Sequence, residues 1–291
     1  MANFAGTAAI DACLDSNAAF QAHIKGIRDL LLGGGNGLVL DTNSNEIAWD
    51  TVTLPSTNTY ATGSAVFKFQ DTMQATFPLF LKARMGISNI ATRPQWEWQM
   101  GTGHDGAGNL TGKVTSALVC NTFVTKTTGV KLDAYCCVMD GGAYLLANND
   151  ASNHNSHFGV FVERTLGVDG VATADGAILI AKGYSTGGNF HVISALNPQP
   201  QTNSIEDGLF SGEIGMTSSQ PTDGVKVATQ PADYWTAAKS WRTRLQGHRV
   251  GDLSPFTPID GGTWKGCSRW MSFNGASLLA NTTAPLMPYQ N

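Results

Sequence analysis

The sequence predicts a mainly β chain, an antiparallel β-sandwich or jelly-roll-like fold with an N-terminal helical arm and one inserted helix. Three observations carry this expectation. Apolar and polar residues alternate with period two over many short stretches. Turn dipeptides such as Asp105-Gly106, Asp140-Gly141, Asp175-Gly176, Asp223-Gly224 and Asp260-Gly261 separate those stretches. The regular strand–helix–strand succession of a parallel α/β sheet is absent.

Helical periodicity is confined to two segments. Between Ala8 and Leu32, Ile10, Cys13, Leu14, Phe20, Ile24, Ile27 and Leu31 recur near a 3.6-residue period. Asp11 and Asp15 fall early and Lys25 and Arg28 late, an order that suits the helix dipole. Gly33-Gly34-Gly35-Asn36-Gly37 ends this helix and reads as a flexible joint. Residues 1–37 are therefore expected to form an attachment arm, whose apolar stripe requires a partner or further copies of the chain. On that reading, deletion of residues 1–32 leaves the β domain folded. The second helix is expected over Ala232–Gln246, where Tyr234, Ala238, Trp241 and Leu245 share one helical face after Pro231.

Strands are expected at Thr51–Leu54, Ala65–Phe69, Phe80–Arg84, Gln95–Met100, Val114–Thr125, Lys131–Val138, Ala143–Leu146, Phe158–Thr165, Ala177–Lys182, Phe190–Leu196, Gly224–Ala228 and Arg269–Phe273. In Gln95–Met100, Trp96, Trp98 and Met100 share one face and Gln95, Glu97 and Gln99 the other. Residues 38–196 form the sandwich domain on this division. Residues 197–291 carry the insertion, closing strands and an extended tail, Pro285–Asn291, whose prolines exclude it from a central strand.

Composition narrows the function classes. The chain has 291 residues, 14% of them charged, with 18 Lys+Arg against 22 Asp+Glu and a net charge of -4; about 25% charged is ordinary for a soluble domain. Without a basic excess, nucleic-acid binding is not expected, and no apolar run suggests membrane insertion. Residues 1–20 lack the basic start and apolar run of a secretory signal, so synthesis in a cytoplasm is expected. The five cysteines, Cys13, Cys120, Cys136, Cys137 and Cys267, have no metal or redox spacing and read as buried free thiols. Adjacent Cys136 and Cys137 are expected on opposite faces of a strand.

Catalytic signals are thin. There is no GxSxG elbow. A glycosidase would require Glu97 with a second acid such as Asp133 or Asp140, yet alternation turns Glu97 away from both tryptophans. His154 and His157 stand three residues apart in a polar loop, short of a metal set. Gly101-Thr102-Gly103-His104-Asp105-Gly106-Ala107-Gly108 lacks the Lys-Ser/Thr of a phosphate loop and reads as a hairpin connection. Asp105 and Asn109 supply too few oxygens for calcium. The sequence thus implies no enzyme activity, cofactor or metal. Trp96, Trp98, Trp235, Trp241, Trp264 and Trp270 read first as core anchors and second as interface anchors, and Trp49 as core.

The segment Phe77–Gly112 joins a strand with an R/K-x-x-x-G step, an aromatic strand and a G-T-G-x-D/N-G-x-G turn, through Phe80, Leu81, Lys82, Gly86, Pro94, Trp96, Trp98, Gly101, Gly103, Gly106 and Gly108. Over about an eighth of the chain it resembles a module of minor structural proteins in the tail tip or baseplate of tailed bacteriophages. The resemblance implies a virion structural protein, located in the virion and partnered by copies of itself, with a trimer favoured, and by other tail or baseplate proteins. The low charge and Gly-rich short strands point to the same class. The alternatives are a carbohydrate-binding receptor-recognition module and a capsid decoration protein. For contact with a host surface glycan or for interfaces, the candidates are Trp96, Trp98, Tyr144, His154, His157 and Tyr184.

Overall fold

The computed structural model describes residues 4–89, 92–121, 129–148, 157–166, 172–185, 188–196, 209–210, 230–235, 242–250, 257–259, 262–266 and 285–289. In chain order the first elements are β1 (Phe4–Asp11), α1 (Asn17–Leu32), β2 (Val39–Leu40), β3 (Thr59–Tyr60), β4 (Ala65–Lys68), β5 (Phe80–Ile87), β6 (Pro94–His104), β7 (Leu110–Val114) and β8 (Leu118–Asn121). There follow β9 (Lys131–Met139), β10 (Gly142–Asn148), β11 (His157–Leu166), β12 (Ala172–Ser185) and β13 (Gly188–Ala195). The last are β14 (Leu209–Phe210), β15 (Gln230–Trp235), β16 (Arg242–Val250), β17 (Thr257–Ile259), β18 (Gly262–Gly266) and β19 (Pro285–Tyr289). The chain is mainly β, its described strand pairs antiparallel.

The first sheet runs β1-β9-β10-β11-β12-β13, a meander of hairpins with β1 added at one edge. Asp140-Gly141 makes the two-residue β9–β10 turn, with Met139 opposite Gly142 and Gly141 at φ 77°, as an Asp-Gly hairpin turn requires. The second sheet runs β2-β4-β5-β6-β7, with β3 beside β5 and β8 beside β6. One apolar core lies between them. The first sheet supplies Leu132, Ala134, Cys136, Leu145, Val160 and Leu179, and the second Phe67, Leu81, Met85, Trp96, Trp98 and Met100. Period-two alternation produces this sorting, because successive side chains leave opposite faces of a strand. Cys136 accordingly enters the core while Cys137 lies on the other face, and both are buried free thiols, as are Cys13 and Cys120.

The third sheet, described by its backbone, runs β14-β15-β16-β19-β18-β17. Its β16 lies beside β11, an interior strand of the first sheet, and β19 beside β9 and β10. The approach is therefore to a face of the first sheet. Tyr135, Cys137, Tyr144 and Phe161, which are buried but outside the core between the first two sheets, alternate onto that other face.

Three expectations are corrected. The helix starts at Asn17, not Ala8; residues 4–11 pair with β9 over eight positions, from Phe4 opposite Val138 to Asp11 opposite Lys131. Tertiary pairing overrides the helix propensity of the alanines. Ser16 then caps the helix, its Oγ accepting the Ala19 N–H at 3.2 Å. Nor is α1 a projecting arm, since Phe20, His23, Ile24, Ile27, Leu30 and Leu31 are buried in the core against β1 and β9. The glycines after it make a tight return. Gly33 caps the helix at φ 53°, the Leu38 N–H reaches the Leu31 carbonyl at 2.7 Å, and a Cβ on Gly37 would stand 2.2 Å from that carbonyl oxygen. Finally, Ala232–Gln246 is not an inserted helix, because β15 and β16 pair antiparallel there, with Tyr234 opposite Thr243. The helical spacing of its apolar residues spans two strands. Pro231 lies opposite Arg249 of β16 and, among the described residues, beyond the last pair with β14, Phe210 opposite Asp233.

Two smaller differences follow the same logic. Thr51–Leu54 forms no strand; it follows a turn and is held by α1, with Gln21 Nε2 donating to the Val52 carbonyl and the Leu54 N–H to Asn17 Oδ1, both at 2.8 Å. The tail strand β19 is interior, between β16 and β18, despite its prolines. Pairing with β16 stops at Leu286, which leaves Pro288 facing a strand on one side, opposite Trp264. Gly224–Ala228 and Arg269–Phe273 lie outside the described residues.

Because Ile24 is fully buried, Ile24→Ala is expected to cost about 2–5 kcal/mol. Urea unfolding followed at the tryptophans measures it. A loss below about 0.5 kcal/mol, the range of a surface substitution, would return α1 to the role of an independent arm.

Candidate functional site

The aromatic strand β6 faces inward. Trp98 is fully buried and Trp96 is 3% exposed, and their rings stack at 5.0 Å and 7°. These tryptophans are core anchors, and the candidate glycan role is corrected for both: no face of either ring is open to a sugar. Trp96 also makes the central polar contact of the core. Its indole Nε1–H donates to His23 Nε2 at 3.1 Å, while His23 Nδ1–H donates to the Asp11 carbonyl at 2.7 Å. Burial holds the His23 pKa down at about 4, so the ring is neutral near pH 7.

On the outer face of the same strand, Glu97 stands opposite Arg84 and pairs with its Nη1 at 3.2 Å; Arg84 also covers the Tyr60 ring at 4.5 Å. Neither proposed second acid joins Glu97. Asp133 is exposed on β9 of the other sheet, and Asp140 in the β9–β10 turn accepts from the Thr72 backbone and hydroxyl. A glycosidase pair is thus not assembled from these carboxylates.

The glycine-rich turn between β6 and β7 closes on itself. Asp105 Oδ1 accepts the N–H groups of Ala107 and Asn109, and Oδ2 accepts from Asn109 Nδ2. Those bonds, the Asn109 side chain first, hold the Asp105 pKa down at about 2. Its oxygens are thereby occupied within the turn. His104 ties the turn to the loop before β3, with Nδ1–H donating to Asp41 Oδ2 at 2.7 Å and Nε2 accepting the Gly108 N–H at 3.2 Å. Gly108 takes φ 85°, and a Cβ there would meet Ser64 Oγ at 2.8 Å, so close docking and left-handed backbone both require glycine. Sequence reading missed the His104–Asp41 pair, since 63 residues separate its members and neither carries a motif.

A buried ion pair lies at one end of the sandwich. Arg164 holds Asp71 in a two-pronged contact, Nε to Oδ2 at 2.5 Å and Nη2 to Oδ1 at 3.0 Å, and Nη2 also reaches Gln74 Oε1 at 3.2 Å. Both side chains are 2% exposed. Gln74 Oε1 in turn accepts the Leu79 N–H at 2.9 Å, which fixes the loop leading into β5. Beside Arg164 is a cavity of about 200 Å³ lined by Phe77, Pro78, Leu79, Ala177 and Leu196 together with Thr76, Thr102, Lys113 and Gly176. It is smaller than typical ligand pockets of about 300–1,000 Å³. No sequence signal distinguished Arg164 from a surface charge.

Tyr144, a further glycan candidate, is also corrected. It is 1% exposed, and its hydroxyl donates to buried Glu163 Oε2 at 2.8 Å. Burial, and then the Glu163 carboxylate, push its pKa well up. His157 opens β11 opposite Asn148, and Tyr184 lies in β12 opposite Asn189. His154, Trp241 and Trp270 lie outside the described residues. Trp49 is packed against the core, its Nε1–H donating to Glu46 Oε1 at 3.0 Å under the Arg28 guanidinium. Among the described residues, no group of three or more His, Cys, Asp or Glu is placed to hold a metal ion, and no helix is long and apolar enough to cross a membrane.

No family model, curated protein or solved structure matches this chain.

Removing one partner of the Arg164–Asp71 pair strands a buried charge. Arg164→Ala is expected to destabilise by about 3–5 kcal/mol, and Arg164→Met with Asp71→Leu to restore most of that. Chemical denaturation of both variants is the measurement; equal losses would mean that the pair contributes through shape and not charge.

Proposed function

We propose that this protein is a structural subunit of a tailed-bacteriophage virion, in the tail tip or baseplate, and that it works as a homo-oligomer, with a trimer favoured. One observation carries the reading. The described side chains with most potential for chemistry are spent holding the chain to itself. His23 and His104 are each bonded at both ring nitrogens, Glu97 is paired with Arg84, Asp105 is tied into its turn, and Arg164 is paired with Asp71. That is the economy of a scaffold.

The segment that resembles tail-tip proteins, Phe77–Gly112, contributes the β5–β6 hairpin, paired over eight residues, and the closed glycine turn that follows it. These are architectural parts, consistent with the resemblance. The low charge of the chain, 14%, favours sheets that join neighbours over a surface that repels them. Partners on this reading are copies of the chain and other tail or baseplate proteins. Attachment to a host glycan would have to use residues other than Trp96, Trp98 and Tyr144.

Mass photometry and cross-linking of the full chain at micromolar concentration test the proposal. A discrete oligomer, and incorporation of the labelled chain into phage particles, are expected. A lone monomer that enters no particle would overturn it.

A further inference from the structure

His23 occupies the point where α1, β1 and β6 meet, and its two nitrogens do opposite jobs. Nδ1 donates to the Asp11 carbonyl of β1, and Nε2 accepts from Trp96 of β6. The Phe158 ring of β11 lies 6.1 Å away. We propose that His23 is an acid-sensitive latch, whose protonation at Nε2 releases α1 and β1 from the sandwich while the β5–β6 hairpin stays paired. This inference stands apart from the virion reading.

An imidazolium has two donors and no acceptor. Protonated in place, Nε2–H would point at the Trp96 Nε1–H across 3.1 Å, two donors facing each other in a site closed to water. The surroundings offer little compensation. From β1 the anion that reaches the ring is Asp11, and Lys131 of β9 already holds its Oδ1 at 2.5 Å. Strands β6 and β11 present Trp96 and Phe158, which are uncharged. The helix's own charges are engaged outside: Lys25 with Asp50, and Arg28 with Asp29 and the Trp49 ring.

Release is local because of where these elements sit. Among the described strands β1 is at the edge of its sheet, paired with β9 alone. The helix ends on Gly33 and Gly34, both at positive φ. The β5–β6 hairpin has its own eight-residue register, and neither strand pairs with β1.

The sign follows from the folded pKa of about 4 lying below the ordinary 6.5. The open form binds the extra proton, so closure is strongest above about pH 6.5 and weakens as pH falls towards 4. Between pH 7 and pH 5 the opening equilibrium is expected to rise about 20-fold.

Hydrogen–deuterium exchange on the full chain, corrected for intrinsic exchange rates, tests the latch. Amides of residues 17–32 are expected to lose about 20-fold in protection between pH 7 and pH 5, with those of residues 94–101 little changed. In His23→Gln, which keeps a donor and an acceptor but takes up no proton, the difference should vanish. Should that variant not fold at pH 7, the imidazole resonances of the unsubstituted protein decide, because ring protonation must coincide with helix opening. Equal loss in both segments, no loss, an unchanged response in His23→Gln, or ring protonation without opening would each overturn the proposal.

Discussion

A neutral imidazole, sealed where a helix meets two sheets, is the constraint on which this architecture depends. His23 can satisfy both neighbours only in one tautomer, and only if α1 lies where the Asp11 carbonyl and the Trp96 indole are both in reach. Each hydrogen bond is modest in net terms, but an unmet polar group in this dry core would cost about 1–3 kcal/mol. The requirement therefore specifies the helix position more sharply than apolar packing can, since hydrophobic contact is non-directional. Trp96 then carries that placement outward, stacked on Trp98 and beside Phe158 of the opposite sheet.

The same device recurs at the sandwich's other joints. The glycine turn is docked through His104 and Asp41, the loop before β5 through Asp71, Gln74 and Arg164, and the outer face of the first sheet contains the Tyr144–Glu163 bond. A chain that is 14% charged has few such groups, and at these joints it uses them for internal specification. Buried polar contacts of this kind gain little over apolar substitutes in stability but penalise wrong arrangements.

Much of the sheet structure was legible in the residues. Alternation in Gln95–Met100 placed both tryptophans and Met100 together and Glu97 opposite, and Asp140-Gly141 marked a two-residue turn. Where reading failed, the cause was competition between local pattern and long-range pairing. Ala8 to Asp11 suits a helix in isolation, yet pairs with β9 some 120 residues later, as Lys131 and Asp11 show. Tyr234, Ala238, Trp241 and Leu245 mimic a helical stripe across a span that contains parts of two strands. The candidate contact residues Trp96, Trp98 and Tyr144 share a different fault: residue type alone cannot separate an aromatic ring that packs a core from one that meets a ligand.

By itself, then, the sequence determined the class of fold, the faces of individual strands, the positions of the sharp turns and the reduced state of the described cysteines, because all of these follow from spacing and residue chemistry within a few positions. Only the tertiary structure decided that α1 is core and not arm, that His104 meets Asp41 and Arg164 meets Asp71, and that Trp96, Trp98 and Tyr144 are buried. Those outcomes depend on which distant backbones hydrogen-bond and how much water each side chain keeps, and neither quantity is encoded in any local window of residues.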